Sequence, residues 1–412
     1  MEDPNATATN VLIVHNRFIE DNFPEHRDFW FVNRDEEAPA EVRDTLRVEE
    51  GGSLVGNASY TVPGAAGDTS SIAKASRGIK NMILADGPAG LRLQPVFKTN
   101  KEGNLLPGGS VLGDIVEPFD PKYTDENSDT YYQYCTAIPI GWALAQSWNM
   151  ALLEKIGSMV GVKMEEFGVD LWLAPALNIH RNPLCGRNFE YYSEDPVVSG
   201  KAAAITLGVQ THPGKGTTIK HLAANSQEDN RYFTNSHISE RAIREIYLKG
   251  FEIAVKESQP LSIMTSYNLL NRTHTANRYD LLQAVARDEW GFKGFVMTDW
   301  YTSQDEPGPT GNNKVIYPIS ASTGCIHAGN DVQMPGCQKN VDDIVRAIRT
   351  GEEIDGYILL DFLLVKYYTG HTSDTEGVHT WQHSTKYRAG RASFARQKRN
   401  GPARPSLTRS EI

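Results

Sequence analysis

The stretch GFVMTDWYTS, residues 294–303, gives the clearest indication of the fold of this chain. A short run of mostly apolar residues ends directly in Asp299 and Trp300, and polar residues follow at once. Apolar character without alternation is typical of a strand that is covered on both faces, as in a parallel sheet. The stretch therefore predicts a buried strand that presents a carboxylate at its carboxyl end.

Five further stretches have the same form, a short apolar run that ends in a polar or aromatic residue. They are MILAD (82–86), LWLAP (171–175), TTIKH (217–221), LSIMTSY (261–267) and NDVQMP (330–335). Helical periodicity lies between them: one pattern over 243–255 follows Ser239 as a candidate cap, and another over 156–167 ends before Gly168. Strand and helix thus alternate in about six units, which predicts a TIM-like (β/α) barrel, complete or incomplete.

An open doubly wound sheet is the alternative with the same alternation of elements. No glycine-rich dinucleotide or phosphate-binding fingerprint follows any of the apolar runs, so the barrel is preferred.

Sequence texture divides the chain into three predicted parts. Residues 1–50 are polar and acidic apart from an apolar run at 11–14, and we interpret them as a peripheral segment or a remnant of a preceding domain. Residues 51–370 form the catalytic barrel, which a long acidic insertion at 94–137 interrupts near the mouth of the site. Residues 371–412 lack hydrophobic periodicity and carry a basic cluster, which predicts a disordered tail.

Composition excludes several classes of protein. A chain of 412 residues with 40% hydrophobic and 22% charged residues is globular in character and can bury a core. Its formal net charge of −10 argues against a nucleic-acid partner. The sequence contains no run of 18 apolar residues and no secretion signal, so we predict no membrane contact and a cytoplasmic location. The cysteines lack CxxC spacing and are interpreted as buried free thiols: Cys135, Cys185, Cys325 and Cys337.

Candidate functional residues follow the predicted strands one after another. In a barrel the carboxyl ends of the strands open onto one face, where side chains converge. A single acid there is often a helix cap, and a single histidine is often an interior residue. A series of acids, cations and aromatics instead predicts a polar pocket with an aromatic floor, which suits a sugar. These residues are Asp86, Arg187, Lys220, His221, Met264, Tyr267, Asp299 and Trp300.

Asp299 is the candidate nucleophile. Glycoside hydrolysis requires one carboxylate at the anomeric carbon and a proton donor at the leaving oxygen. We expect Lys220 or Arg187 to lie near Asp299 and to keep it ionised at neutral pH. No metal ion or organic cofactor is implied, because two carboxylic acids suffice for this reaction.

Six motifs also carry a resemblance to a known family. In order along the chain they resemble the signatures of glycoside hydrolase family 3 β-glucosidases, from about residue 51 to about residue 350. The motifs are ILADGPAGLRL, LAPALNIHRNPLCGRNFEYYSEDP, TTIKHLAANSQEDNR, ERAIREIYLKGFEIAVKESQP, IMTSYN and DEWGFKGFVMTDW. The resemblance implies retaining hydrolysis of terminal β-D-glucosyl residues, from a β-glucoside or a β-linked oligosaccharide, through a covalent glycosyl-aspartate. A β-xylosidase or other β-glycosidase specificity, and a sugar-binding fragment without activity, stay open as alternatives.

The resemblance implies a role for each matching residue. Asp299 matches the nucleophile, and Trp300 matches the aromatic residue beside the bound sugar. The other matching positions bind or line the sugar pocket: Asp86, Arg92, Arg187, Lys220, His221, Met264 and Tyr267. Four more charged residues are interpreted equally well as a salt-bridged loop at the rim: Arg181, Glu190, Glu194 and Asp195.

The chain departs from the family pattern in its proton donor. In most such β-glucosidases the acid/base is a glutamate on a separate α/β sandwich domain, which precedes the barrel in the subgroup that this chain resembles. Only about fifty residues precede the barrel motifs here, so we expect that domain to be supplied in trans or by oligomerisation. A truncated or shifted reading frame is one hypothesis for this departure. The loop after Lys220 and His221 lacks the PGHG histidine of single-domain relatives, and its local candidates for a donor are Glu228, Asp229 and His237.

Overall fold

A computed structural model describes the central part of the chain. The described residues are the strand Val48–Glu49, residues 62–69, residues 82–302 except 110, 113–114 and 117, residues 320–335, and short pieces of 340–347. The apolar run at 11–14, most of the predicted N-terminal segment, the predicted tail at 371–412 and Cys337 lie outside the described residues. The three-part division of the chain therefore stays a prediction.

One seven-stranded sheet organises the molecule. Its strands follow one another in chain order across the sheet. The first three pair antiparallel, and the third to the seventh pair parallel. The parallel part curls into a half-barrel, so the predicted TIM-like barrel is confirmed in its incomplete form. The strands are β1 (Val48–Glu49), β2 (Gly67–Thr69), β3 (Ile83–Ala85), β4 (Leu171–Trp172), β5 (Gly216–Leu222), β6 (Ser262–Thr265) and β7 (Phe295–Met297).

The sixth predicted strand, 330–335, is only a short contact. Val332 forms a single parallel bridge with Met297. The backbone N–H groups of Asp331 and Val332 both donate to the carbonyl oxygen of Val296, at 2.7 and 3.1 Å. Pro335 has no N–H with which to extend a ladder. The apolar run was therefore predicted in the right place, but it forms a single bridge to β7 and not a regular strand.

Helices cover the outer face of the sheet and confirm both predicted helical patterns. Ser239 Oγ accepts the N–H of Ala242 at 3.3 Å, and Gly168 ends its helix with a φ of 71°. The helices are α1 (Gly141–Gln146), α2 (Met150–Phe167), α3 (Pro196–Gly200), α4 (Ala203–Gln210), α5 (Glu240–Ala242), α6 (Lys249–Ser258) and α7 (Ser322–Ala328), with π-helical segments at Ile243–Tyr247 and Asp280–Glu289 and a 3-10 turn at Thr275–Asn277.

The insertion at 94–137 is more regular than its sequence predicts. It forms an antiparallel ribbon of Val96–Asn100 with Ser128–Tyr132, and a smaller one of Val111–Leu112 with Ile115–Val116. The chain returns beside the β3 loop, where the N–H of Ile138 donates to the carbonyl oxygen of Ala89 at 2.9 Å. The segment that leaves the ribbon is thus hydrogen-bonded to the loop that follows Asp86. Three further short strands, Asn235–Ser236, Leu269–Leu270 and Thr273–His274, form a separate sheet.

Two apolar layers explain why the strand sequences are apolar without alternation. In β7, Val296 packs into the layer between sheet and helices, which includes Leu153, Ile205 and Phe251. Its neighbours Phe295 and Met297 point into the barrel interior instead. Both faces of the strand are buried, as the parallel-sheet interpretation requires. The side chains of Cys185 and Cys325 are buried, that of Cys135 is half-buried, and these three described cysteines form no disulfide.

Close packing of α2 on α4 depends on glycine. A Cβ added to Gly208 would lie 1.9 Å from the carbonyl oxygen of Glu154, and the backbone of α2 cannot yield locally. We expect Gly208→Ala to lower the free energy of unfolding by about 1–3 kcal/mol, which outweighs the gain of about 1 kcal/mol in helix propensity. Urea unfolding measures the change, with Leu207→Ala on the exposed face of α4 as the control. An unchanged or raised stability in Gly208→Ala would contradict the packing argument.

Candidate active site

Asp86 follows β3 and is held by two cations. Its Oδ1 accepts from Lys220 Nζ at 2.9 Å, and its Oδ2 accepts from Arg92 Nη2 at 2.8 Å. Burial raises the pKa of this carboxyl, but Lys220 and then Arg92 outweigh burial and bring the pKa well below its usual value. About a quarter of the side chain is exposed, so this anion can still accept a hydroxyl from a ligand.

His221 stands at the end of β5 between Arg187 and Asp299. Its Nε2 accepts from Arg187 Nη2 at 2.8 Å and lies 3.7 Å from Asp299 Oδ2. Because arginine can only donate, the ring carries its proton on Nδ1. Burial, followed by the charges of Arg187, Lys220 and Arg231, brings the pKa of His221 well below its usual value. The imidazole is therefore neutral, and its contact with Asp299 is not an ion pair.

The rim loop after β4 fixes Arg187. Arg187 Nε donates to Oε1 of Glu190, a carboxylate that is only 3% exposed. Its neighbours also have structural roles: Arg181 Nε donates to the Tyr247 hydroxyl at 3.2 Å, and Asp195 Oδ1 caps α3 by accepting from the N–H of Val197 at 2.8 Å. These contacts favour the salt-bridged-loop interpretation of this segment.

Asp299 lies directly after β7 and is 4% exposed. Its Oδ1 accepts the N–H of Trp300 at 2.8 Å, while its Oδ2 is buried and has no hydrogen-bond partner in the described part of the chain. Burial raises the pKa of this carboxyl against the opposing effects of Arg187, Arg231, Lys220 and the Trp300 N–H. The cations oppose the larger effect of burial on this pKa, and the ionisation of Asp299 at neutral pH stays a prediction.

The floor of the site is apolar and aromatic. Met264 and Trp300 belong to the barrel interior and are 2% and 8% exposed. The ring of Tyr267 packs on that of Tyr232 with centroids 4.3 Å apart. The hydroxyl of Tyr232 in turn donates to the carbonyl oxygen of Trp300 at 3.4 Å. The aromatic rings thus connect the loop after β5 with the ends of β6 and β7.

Arg231 and Tyr232 belong to this network, and neither is among the sequence-predicted site residues. Arg231 Nη1 donates to Glu228 Oε2 at 2.7 Å, and its guanidinium carbon lies 4.5 Å from the ring centroid of Tyr267. The motif that carries Lys220 and His221 continues as far as Arg231, which was the available signal. A cation that follows two acids in sequence is equally typical of a solvated loop, and only the fold shows that it turns back over Tyr267.

Two of the candidate proton donors are in settings that do not suit the role. Glu228 accepts from Arg231, as an anion does. His237 is exposed and its Nε2 is bonded to Asn235 Nδ2 at 3.1 Å. Asp229 contributes a backbone carbonyl, which accepts from Gln227 Nε2 at 2.9 Å. Within the described ranges no cluster of three or more His, Cys, Asp or Glu side chains is arranged to hold a metal ion.

The Asp86 ion pairs give a testable dependence of stability on pH. We expect Asp86→Asn to lower the free energy of unfolding by about 1–3 kcal/mol at pH 7, because Lys220 is left buried without its counter-charge. A carboxyl with a lowered pKa stabilises the fold above its unfolded pKa, here 3.8, and that contribution is lost progressively as the pH falls below this value. The difference between wild type and variant should therefore shrink between pH 7 and about pH 3.

Urea unfolding at both pH values measures this difference. Asp129→Asn, which removes the exposed partner of Lys101, is the control and should show little change at either pH. A difference for Asp86→Asn that grows at low pH would rule out the proposed ion pairing.

The fold and the site together define an α/β-barrel protein with charged and aromatic side chains gathered at the carboxyl ends of its strands. Residues 128–358 match the family model described as the glycosyl hydrolase family 3 N terminal domain. The chain belongs to this family, and the resemblance seen in its motifs is confirmed.

Several relatives carry names that describe an activity. The chain is 42% identical over 219 residues to beta-glucosidase B of Emericella nidulans, which covers 53% of this chain and 24% of the relative. It is 37% identical over 290 residues to an exo-alpha-(1->6)-L-arabinopyranosidase of Bifidobacterium breve, which covers 68% of this chain and 35% of the relative. The chain thus spans about a quarter to a third of the length of these curated relatives.

Solved structures share the fold. The structure of beta-glucosidase 3B from Thermotoga neapolitana in complex with glucose superposes with a TM-score of 0.62 at 40% identity, over 79% of this chain and 40% of that chain. A beta-glucosidase from Paenibacillus barengoltzii superposes with a TM-score of 0.60 at 31% identity, over 79% of this chain and 31% of that chain. In the described part of this chain, no helix combines the length and the apolar character that crossing a bilayer requires.

Proposed function

We propose that this chain carries the sugar-binding and nucleophile part of a retaining β-glucosidase site. The observation that carries the proposal is Asp299 Oδ2, a buried carboxylate oxygen at the carboxyl end of β7 with no hydrogen-bond partner among the described residues. A carboxylate oxygen that makes no hydrogen bond to the described residues keeps its lone pairs for a ligand and is suited to attack an anomeric carbon. Neutral His221 and cationic Arg187 stand beside it.

The surrounding side chains suit the non-reducing end of a sugar. Asp86 is an anion fixed by Lys220 and Arg92, and it offers acceptor lone pairs to hydroxyl groups. Arg187 and Lys220 offer donors, so one pyranose can satisfy both kinds of group. Trp300 offers an apolar ring against which the C–H face of a sugar packs.

The reaction proceeds in two steps. An oxygen of Asp299 forms a bond to C1 as the bond from C1 to the leaving oxygen breaks, and that oxygen leaves as an alcohol once it has received a proton. Water then attacks C1 of the glycosyl-aspartate and gives a proton back to the donor of the first step, while the bond from C1 to Asp299 breaks and the carboxylate is regenerated. General acid assistance is worth about 10²- to 10⁴-fold, so the proton donor matters most for poor leaving groups.

Three described carboxylates near the nucleophile form ion pairs with cations. An ion-paired carboxylate is not suited to be the proton donor. Asp86 pairs with Lys220, Glu190 with Arg187, and Glu228 with Arg231. We therefore propose that the donor is supplied by another domain, in trans or by oligomerisation.

A pentopyranosidase is the second candidate. It is favoured by the relative named exo-alpha-(1->6)-L-arabinopyranosidase, which aligns with 68% of this chain. A β-xylosidase shares the argument, because xylose differs from glucose only in lacking one CH₂OH group. Glucose is the preferred assignment because beta-glucosidase 3B, which was solved with glucose bound, has 40% sequence identity over 79% of this chain.

A cytoplasmic location and a role in carbohydrate metabolism complete the proposal. The described cysteines Cys135, Cys185 and Cys325 are not in disulfides, which is the usual state in a reducing compartment.

Covalent labelling tests the proposed function without requiring a proton donor. The protein is incubated with 2,4-dinitrophenyl 2-deoxy-2-fluoro-β-D-glucopyranoside, whose phenolate leaves without protonation and whose fluorine destabilises the oxocarbenium-like transition state of the second step. Intact mass spectrometry is expected to show one fluoroglucosyl adduct, and peptide mapping is expected to locate it on Asp299. Faster labelling by the matching xylosyl or arabinopyranosyl reagent would favour the pentopyranosidase. Glucose binding without any adduct would favour a sugar-binding fragment.

A further inference from the structure

Glu228 lies beside the site without belonging to the proposed sugar contacts. Its side chain is 27% exposed, and its Oε2 accepts from Arg231 Nη1 at 2.7 Å. Its Oε1 is buried and has no hydrogen-bond partner within the described residues. A Cβ added to Gly186 would lie 3.8 Å from Glu228 Cγ, so the rim loop next to Arg187 passes close to the stem of this side chain. Glu228 therefore fills the space between that loop and Arg231.

The guanidinium of Arg231 is held from two sides. Glu228 binds one of its nitrogens, and its carbon lies 4.5 Å from the ring centroid of Tyr267 and 5.6 Å from that of Tyr232. Both distances are within the range of cation–π attraction. The charge of Arg231 acts on Asp299 and lowers the pKa of that carboxyl against the larger effect of burial. The position of one cation thus affects the ionisation of the proposed nucleophile.

We propose that Glu228 is a positioning residue that holds the guanidinium of Arg231 over the rings of Tyr267 and Tyr232, next to Trp300 and the proposed nucleophile Asp299. The inference rests on the proposed function, in which Asp299 must be an anion when it attacks C1. It also gives the anionic Glu228 a role other than that of proton donor. Loss of Glu228 removes the ion pair at Nη1, and we expect the guanidinium, whose side chain is 21% exposed, to turn towards water and away from the ring of Tyr267.

The charged and titratable groups around the pair define what the test must separate. Those that act on Asp299 are Arg187, Arg231, Lys220, His221, Tyr267 and Tyr232. Those that face Glu228 are Arg231, Cys185 and Tyr191. Two routes from Glu228 to Asp299 are then distinguishable by sign. Loss of a positioned Arg231 raises the pKa of Asp299, whereas loss of the negative charge of Glu228 alone lowers it.

The rate of covalent labelling as a function of pH tests the proposal. In Glu228→Gln the acid limb of the labelling rate constant is expected to move to higher pH by about half a unit to one unit, which lowers the rate on that limb by about three- to tenfold. Arg231→Lys should shift the limb in the same direction, and the double variant should shift it no further than Arg231→Lys alone. Glu257→Gln, which breaks the exposed pair with Lys201, is the control and should leave the profile unchanged.

A second measurement separates this proposal from the proposed function. The Nε–H resonance of Arg231, assigned by its disappearance in Arg231→Lys, is expected to be sharp in the wild type, broadened in Glu228→Gln and unchanged in Glu190→Gln, which frees Arg187 instead. If the wild type forms no adduct, the proposed function fails while this resonance still tests the positioning of Arg231. A sharp resonance in Glu228→Gln, an unmoved acid limb, or a limb that moves to lower pH would each overturn the role assigned to Glu228.

Discussion

Asp299→Asn is expected to slow covalent labelling by the fluoroglucosyl reagent by about 10⁴-fold or more. The reason is chemical, because an amide oxygen is a far weaker nucleophile than a carboxylate. The fold should tolerate the change, since the amide oxygen can still accept the Trp300 N–H and Oδ2 has no partner to lose among the described residues. The measurement is the rate of adduct formation by intact mass spectrometry, compared with the rate for the wild type under the same conditions.

The same substitution should leave the protein at least as stable as the wild type at neutral pH. Burial raises the pKa of Asp299, so its ionised form opposes folding at pH values above that raised pKa. The advantage of the asparagine variant should therefore decline as the pH falls and the wild-type carboxyl takes up its proton. Undiminished labelling of Asp299→Asn would place the nucleophile elsewhere, and a marked loss of stability would show that Asp299 has a structural role.

Asp331→Asn is expected to lower the free energy of unfolding by about 3–5 kcal/mol. Arg287 Nη2 and Asp331 Oδ2 are 2.7 Å apart, and their side chains are 4% and 0% exposed, so the variant leaves a buried guanidinium without its counter-charge. Asp331 Oδ2 also accepts the N–H of Val296 at 2.7 Å, and Arg287 Nη1 donates to the carbonyl oxygen of Gly294 at 2.9 Å. The pair thus ties the π-helical segment Asp280–Glu289 to β7 and to the 330–335 contact.

Urea unfolding measures this loss, with Glu257→Gln as the exposed-pair control that should cost less than about 1 kcal/mol. Because Val296 lies in the strand that presents Asp299, Asp331→Asn should also slow covalent labelling under conditions in which the variant is still folded. Equal effects of the buried and the exposed substitutions would show that burial does not determine the strength of this ion pair.

Much of the fold could be predicted because its cause is local. Uninterrupted apolar runs such as those around Val296 and Ile263 predict strands buried on both faces, and the two apolar layers confirm them. The strand predicted at 330–335 was overestimated. The side chain of Asp331 accepts the N–H of Val296, which a ladder would use, and Pro335 has no N–H to donate. The ribbon in the insertion was not predicted, because its strands show little difference between a buried and an exposed face.

The sequence alone predicts which chemical groups the strand ends carry, including Asp86, Lys220, His221 and Asp299, because these residues end short apolar runs that favour buried strands. Tertiary structure alone decided how these groups pair and titrate. Lys220 reaches across 134 positions of the chain to Asp86, and Arg231 turns back over Tyr267. Burial outweighs three cations at Asp299, because desolvation depends on everything packed around a carboxylate and not on its neighbours in sequence.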